Sequence, residues 1–196
     1  MSKKILILFL FLSQTLDQVQ GQKLMHSLGG TVSLITGKVN NPNETYKFSM
    51  QQTTFTYFPR YNFFETKKYS ISIGAPIGVG IGVASNDFDS DFGIAFAYDL
   101  PIVLDFNMGG KSTMDNKKKF GGFFGTGFGY SRVNISKSEF SDFTGSSLGP
   151  IIRAGVRFGS NRESWGDKSI TLGFNYKKGI DKQKLSTFGA NVLLDF

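Results

Sequence analysis

The sequence predicts an all-β chain, an eight-stranded antiparallel up-and-down barrel that crosses a membrane. Three observations carry that expectation. Apolar residues recur at every second position through most of the chain, the period of a strand. Of 196 residues, 24 are Gly and 21 are Phe, and that pairing weakens helices while favouring strands. Mean hydropathy is −0.12, and no apolar run approaches the roughly 20 residues of a spanning helix, whereas a spanning barrel is apolar only at alternate positions.

The first segment reads as an address. Residues 1–21, MSKKILILFLFLSQTLDQVQG, join Lys3 and Lys4 to an apolar run from Ile5 to Leu12, followed by the small-residue spacing of a cleavage site at Val19 and Gly21. We expect a cleaved secretory signal peptide over 1–21 and one barrel domain over 22–196. The absence of Cys excludes a disulfide scaffold, a thiol nucleophile and a Cys-ligated zinc site.

Eight strands follow. Two less regular segments, about 26–35 and 52–63, come first. In 69–84, Tyr69, Ile71, Ile73, Ile77, Val79, Ile81 and Val83 oppose Ser70, Ser72, Gly74, Pro76, Gly78, Gly80 and Gly82. In 92–108 the apolar face runs from Phe92 to Met108 against Gly93, Ala95, Ala97, Asp99, Pro101, Val103, Asp105 and Asn107. In 120–131, Phe120, Phe124, Phe128 and Tyr130 oppose Gly121, Gly125, Gly127, Gly129 and Ser131. Ile152, Ala154, Val156 and Phe158 oppose Arg153, Gly155, Arg157 and Gly159; then Ile170, Leu172, Phe174 and Tyr176 oppose Thr171, Gly173 and Asn175. The last strand sets Phe188, Ala190, Val192, Leu194 and Phe196 against Gly189, Asn191, Leu193 and Asp195.

The second face decides the barrel type. A soluble barrel shows polar groups to water and keeps its large apolar residues inside. Here one face is large and apolar, and the other is glycine, serine and charge. That pattern fits lipid outside and a tightly packed polar lumen inside. Pro59, Pro76, Pro101 and Pro150 lie in or beside strands, although Pro cannot donate to a ladder. A hairpin centred between Phe88 and Asp89 sets Pro76 opposite Pro101, so a bulge or ladder break is expected at that level.

The C-terminal STFGANVLLDF ends an alternating strand on an aromatic residue. Together with the signal segment and seven earlier strands, it resembles the small outer-membrane β-barrel proteins of Gram-negative bacteria, with OmpA/OmpX-type eight-stranded barrels as the nearest architecture. The resemblance implies a bacterial outer-membrane location, contact with membrane lipid and lipopolysaccharide, and both termini in the periplasm. It implies that Phe188, Ala190, Val192, Leu194 and Phe196 are the signal read by the barrel-assembly machinery. Turns would fall at about 64–68, 109–118 and 160–167, and outer loops at about 36–49, 85–91, 137–147 and 177–184. The turn GGKSTMDNKK is long for the periplasmic side.

The inward charges are Arg60, Asp99, Asp105, Arg153, Arg157 and Asp195. Arg60, Asp105, Arg157 and Asp195 are expected toward the periplasmic end, with Asp99 and Arg153 higher. Opposite signs should pair or hold water, forming a plugging network or, in the functional alternative, a selectivity constriction or proton path. His26, the sole histidine, falls on the lipid-facing side at the start of strand one, and no nucleophile and acid are placed around it. Asp87, Asp89 and Asp91 alternate as in half a calcium loop but lack its Gly and Glu, so at most weak cation binding follows. Lys177, Lys178, Lys182 and Lys184 surround the last outer loop, where they could meet lipopolysaccharide phosphates. Aromatic girdles are expected at Phe63, Tyr69, Phe106, Phe120 and Phe196 on one side and at Phe92 and Tyr130 on the other.

The formal charge of +7 is spread over turns and loops without a basic stripe or stacking motif, which argues against nucleic acid. The function expected is a monomeric, non-enzymatic barrel with a closed polar lumen and a structural or surface-binding role through its outer loops. It needs no cofactor or metal. The alternatives are a narrow channel, a lipid-modifying barrel enzyme and a soluble lipocalin-like carrier.

Overall fold

The computed structural model describes residues 24–40, 45–86, 93–113, 115–136, 143–159, 168–181 and 184–196. They form nine strand segments: β1 (Leu24–Asn40), β2 (Thr45–Glu65), β3 (Tyr69–Gly74), β4 (Ile77–Asn86), β5 (Gly93–Gly109), β6 (Phe120–Ser136), β7 (Phe143–Gly159), β8 (Ser169–Lys178) and β9 (Ser186–Asp195). All pairings are antiparallel, and β1 closes the sheet on β9 through Ser27↔Asp195 to Thr36↔Ser186. β3 and β4 both lie between β2 and β5 as one interrupted strand. The ring therefore has eight positions.

The interruption falls where the prolines require it. β3 and β4 keep one register against β5, with Gly74↔Val103 below the break and Gly78↔Asp99 above it. Continuing that register sets Pro76 opposite Pro101, the level at which a ladder break is expected. Neither ring can donate, and the Ala75 amide holds the segment to β2 by donating to the Pro59 carbonyl at 3.1 Å. Lower on β2, a register shift between Asn62 and Phe64 puts Phe63 and Phe64 both outside.

The outward face of every strand is dominated by large apolar side chains, with polar exceptions such as Thr53 and Thr126. Val32, Phe55, Ile81, Phe96, Phe124, Ile152, Phe174 and Val192 are each more than half exposed. No water-soluble surface carries so continuous an apolar band, and a lipid-spanning barrel requires it. The carrier alternative, with these side chains lining an internal cavity, does not fit this surface. We call the end that holds His26 and Phe196 the lower end, where their backbones exchange two hydrogen bonds. The lower girdle contains Phe63, Tyr69, Phe106, Phe120 and Phe196, all exposed. At the other side Tyr130 packs against Tyr98 with ring centroids 6.2 Å apart. Phe92 lies outside the described residues.

The strands run higher than the alternation alone predicts. β1 and β2 pair up to Asn40↔Thr45, and β6 pairs with β7 up to Ile135↔Phe143. Residues 36–40, 45–49 and 143–147, expected in outer loops, belong to strands. A hairpin ladder satisfies backbone groups whether or not its side chains alternate, so pairing continues past the lipid-facing pattern.

Candidate functional site in the barrel lumen

The interior is built in layers, and the lowest is a turn. Residues 110–113 and 115–119 belong to a turn too long for a simple hairpin, in which Lys111, Ser112, Thr113 and Asn116 are buried at the barrel mouth. Gly109 and Lys111 reverse the chain at positive φ, 72° and 55°. The turn then offers its carbonyls upward. Arg60 Nη2 donates to the Lys111 carbonyl at 2.9 Å, Asn62 Nδ2 to the Ser112 carbonyl at 3.0 Å, and Ser70 Oγ to that same carbonyl. Asn116 ties the turn to the β2–β3 connection by donating to the Lys67 carbonyl at 3.2 Å.

Above the turn lies an ionic layer. Arg60 and Arg157 are both 1% exposed and both donate to Asn107 Oδ1, at 3.3 and 2.8 Å. Asp195 accepts from Ser27, Ser169 and Thr171, each at 2.6 Å, and its carboxylate lies 3.9 Å from Arg157 Nε. Asp105 is held differently. Among the described residues none donates a hydrogen bond to its carboxylate oxygens, and Arg153 Nε lies 3.7 Å away. The Arg153 guanidinium sits between two aromatic faces, 4.4 Å from the Phe58 centroid and 4.7 Å from that of Phe123. Arg157 lies 4.9 Å from the Phe123 ring.

Inward glycines make the layer possible. A Cβ on Gly125 would stand 1.9 Å from Asp105 Oδ1, one on Gly155 2.5 Å from the Phe123 ring, and one on Gly74 2.5 Å from the Phe58 ring. Eight strands enclose a lumen only wide enough for side chains, so each long side chain needs an absent one opposite.

Two sequence expectations are corrected here. Arg153 does not sit high beside Asp99; it belongs to the lower layer, because the register sets it in one row with Gly125 and Asp105, where its guanidinium meets the Asp105 carboxylate across the missing Gly125 side chain. Asp99 instead meets a partner that the sequence reading put in the outer loop. Lys177 is 4% exposed inside the lumen, donating to Ser131 Oγ and, at 3.3 Å, to the Ser147 carbonyl. Ser131 Oγ donates to Asp99, which also accepts from Gln52 Nε2 at 3.1 Å. β8 extends through Lys178, and parity turns Lys177 inward. Between this upper pair and the ionic layer is a cavity of about 70 Å³, lined in part by Thr54, Asp99, Arg153, Asn175, Lys177 and Asn191. Its volume suits about two water molecules, which such polar walls would bind.

The top of the lumen is apolar, which corrects the expectation of polarity throughout. Ile35, Met50, Ala84, Ala95, Ala97, Val133, Ile135 and Leu185 form one buried cluster. Leu185 enters from the β8–β9 connection after Lys184 turns at φ 47°, and its carbonyl accepts from the Gly179 amide at 2.8 Å and from Ser147 Oγ at 3.2 Å.

His26 stands apart from the lumen. Nδ1 shares a hydrogen bond with Tyr57 Oη at 2.7 Å, and its ring stacks near Tyr57 and Phe196, with centroids 5.9 and 6.0 Å away. His26, Tyr57 and Phe196 thus form an aromatic cluster at the lower end of the barrel. Phe188, Ala190, Val192, Leu194 and Phe196 line the outer face of the closing strand and its end. Asp87, Asp89 and Asp91 lie outside the described residues, as does Lys182. Among the described residues no three His, Asp or Glu side chains gather as a metal site would require.

Comparison with solved structures finds this fold in known proteins. The outer membrane protein OprG from Pseudomonas aeruginosa superposes with a TM-score of 0.54 over 89% of this chain and 96% of its own, at 12% identity. The fold is that of the small eight-stranded outer-membrane β-barrels. Neisserial surface protein A (TM-score 0.48, 9% identity, 88% of this chain, 95% of its own) also matches. So does Ail of Yersinia pestis, solved with the heparin analogue sucrose octasulfate (TM-score 0.48, 13% identity, 89% and 98%). No family model and no curated protein matches the sequence. At such identities the likeness is one of fold.

Proposed function

We propose that this protein is an exported, monomeric, non-enzymatic outer-membrane barrel with a closed lumen, acting structurally or binding partners through the segments at its upper end. The observation that carries this reading is the filling of the lumen at three successive levels: the tucked turn, the ionic layer and the apolar cluster around Met50 and Val133. A tube obstructed at each level leaves the upper surface as its means of acting on anything outside. On this reading the signal segment is cleaved after Gly21, the lower end faces the periplasm, and the upper end meets lipopolysaccharide. The C-terminal strand addresses the chain to the barrel-assembly machinery.

Fractionation of expressing cells tests the location, with gel migration of the membrane fraction before and after boiling. A detergent-dependent protein with a heat-dependent band shift is expected, and a soluble protein without one would overturn the reading. Planar-bilayer recording tests the lumen, with no discrete conductance expected. A narrow channel is the second reading, favoured by the polar cavity between Asp99 and Arg153. It requires conductance steps that change in Arg153→Ala or Asp99→Ala.

A further inference from the structure

We propose that the lower rim of the barrel is a binding crescent for anionic phospholipid headgroups. Lys67 and Lys68 in the β2–β3 turn and Lys117, Lys118 and Lys119 in the β5–β6 turn are all exposed. Two turns distant in sequence become one surface through their backbones. The Gly109 amide donates to the Lys68 carbonyl at 3.1 Å, Asn116 Nδ2 to the Lys67 carbonyl at 3.2 Å, and the Gly159 amide to the Lys119 carbonyl at 2.7 Å. The lysines thus follow the rim from β2 to β7. The acids here, the exposed Asp115 and Glu65, which accepts from Asn62 Nδ2 at 2.7 Å, are outnumbered by the five lysines, and the rim stays cationic.

Height fixes the ligand chemistry. Immediately above the lysines, on the same strands, the lipid-facing surface carries Phe64, Tyr69, Phe106, Phe120 and Phe158, all exposed. Phe64 and Tyr69 stack at 6.1 Å, Tyr69 and Phe106 lie 5.7 Å apart, and Phe120 meets Phe158 edge-on at 4.8 Å. Such a belt marks the boundary of hydrocarbon and headgroups. Cations one to three residues beyond it reach the plane of lipid phosphates, where clustered lysines attract anionic headgroups. With the lower end in the periplasm, as proposed above, those phosphates belong to glycerophospholipids.

Spin-labelled lipids in nanodiscs carrying the folded barrel test this directly. Labelled phosphatidylglycerol should associate with the protein about threefold more than labelled phosphatidylcholine, a preference that high salt removes. Replacing Lys67, Lys68, Lys118 and Lys119 by Gln should bring the ratio to about one, while Lys178→Gln with Lys184→Gln at the upper end leaves it unchanged. The heat-dependent gel shift reports separately whether each variant is a folded barrel. If the fourfold variant does not fold, the Lys67/Lys68 and Lys118/Lys119 pairs replaced separately should each lower the ratio. A preference that survives these substitutions, or displacement of phosphatidylglycerol by lipopolysaccharide in the same discs, would overturn the proposal.

Discussion

Below the cavity the lumen holds Arg60, Arg153, Arg157, Asp105 and Asp195, packed against the buried rings of Phe58 and Phe123; above it, Ile35, Met50, Val133, Ile135 and Leu185 stand without charge. Both regions plug a tube of the same strand number, yet their stability rests on different physics. The lower layer depends on partners. Three guanidinium groups share two carboxylates, supplemented by Asn107 and by carbonyls of the tucked turn. The upper layer depends on volume, because each side chain loses only its own contacts when shortened. A charged layer therefore fails through what a substitution leaves behind, and an apolar layer through what it takes away.

The largest effect should follow Asp195→Ala, which strands Ser27, Ser169, Thr171 and Arg157 together. We expect a loss of about 3–5 kcal/mol in urea unfolding from lipid vesicles. Arg153→Met should cost about 3 kcal/mol alone, because it leaves the Asp105 carboxylate without its counterion. Combining it with Asp105→Leu should recover most of that loss, since an apolar pair can replace a buried ion pair. A double variant no better than Arg153→Met would break the distinction between the two regions. In the upper layer Met50→Ala should cost about 2 kcal/mol, the low end for a buried Met. No second substitution there should rescue it except one that restores volume. Asn116→Ala, loosening the turn, should cost about 1 kcal/mol, with faster amide exchange at residues 110–113 before global unfolding.

Period two made the strands, their lipid face, ring closure and even the Pro76–Pro101 level legible, because alternation is imposed residue by residue by the surrounding lipid. The lumen was less legible, since its contacts depend on side-chain reach across the tube. Arg153 illustrates this: parity gave its direction, but the register of β6 against β5 and β7, which aligns it with Gly125 and Asp105, decided its layer. Phe123 was passed over among the glycines of β6, although its odd position, shared with Gly121 and Gly125, turns it inward. Val133, Ile135 and Met50 were missed because they lie just past the ends assigned to their strands. Lys177 was missed for the same reason. The tucked turn left one trace, its excess length, whereas its burial arises from long-range contacts with Arg60, Asn62 and Ser70.

Asp195 has a consequence for the order of events in folding. It stands on the last strand, and Ser27, on the first, donates to it across the seam that closes the sheet. The β7–β8–β9 hairpins bring Asp195 to Arg157 by themselves, but until β9 meets β1, Arg60, on the strand beside β1, is kept from that carboxylate. Closure and the charge compensation of Arg60 are consequently a single event, and an unzipped barrel is also an electrostatically frustrated one. The seam locks because opening it re-exposes a debt of charge in the interior, not merely a row of backbone hydrogen bonds.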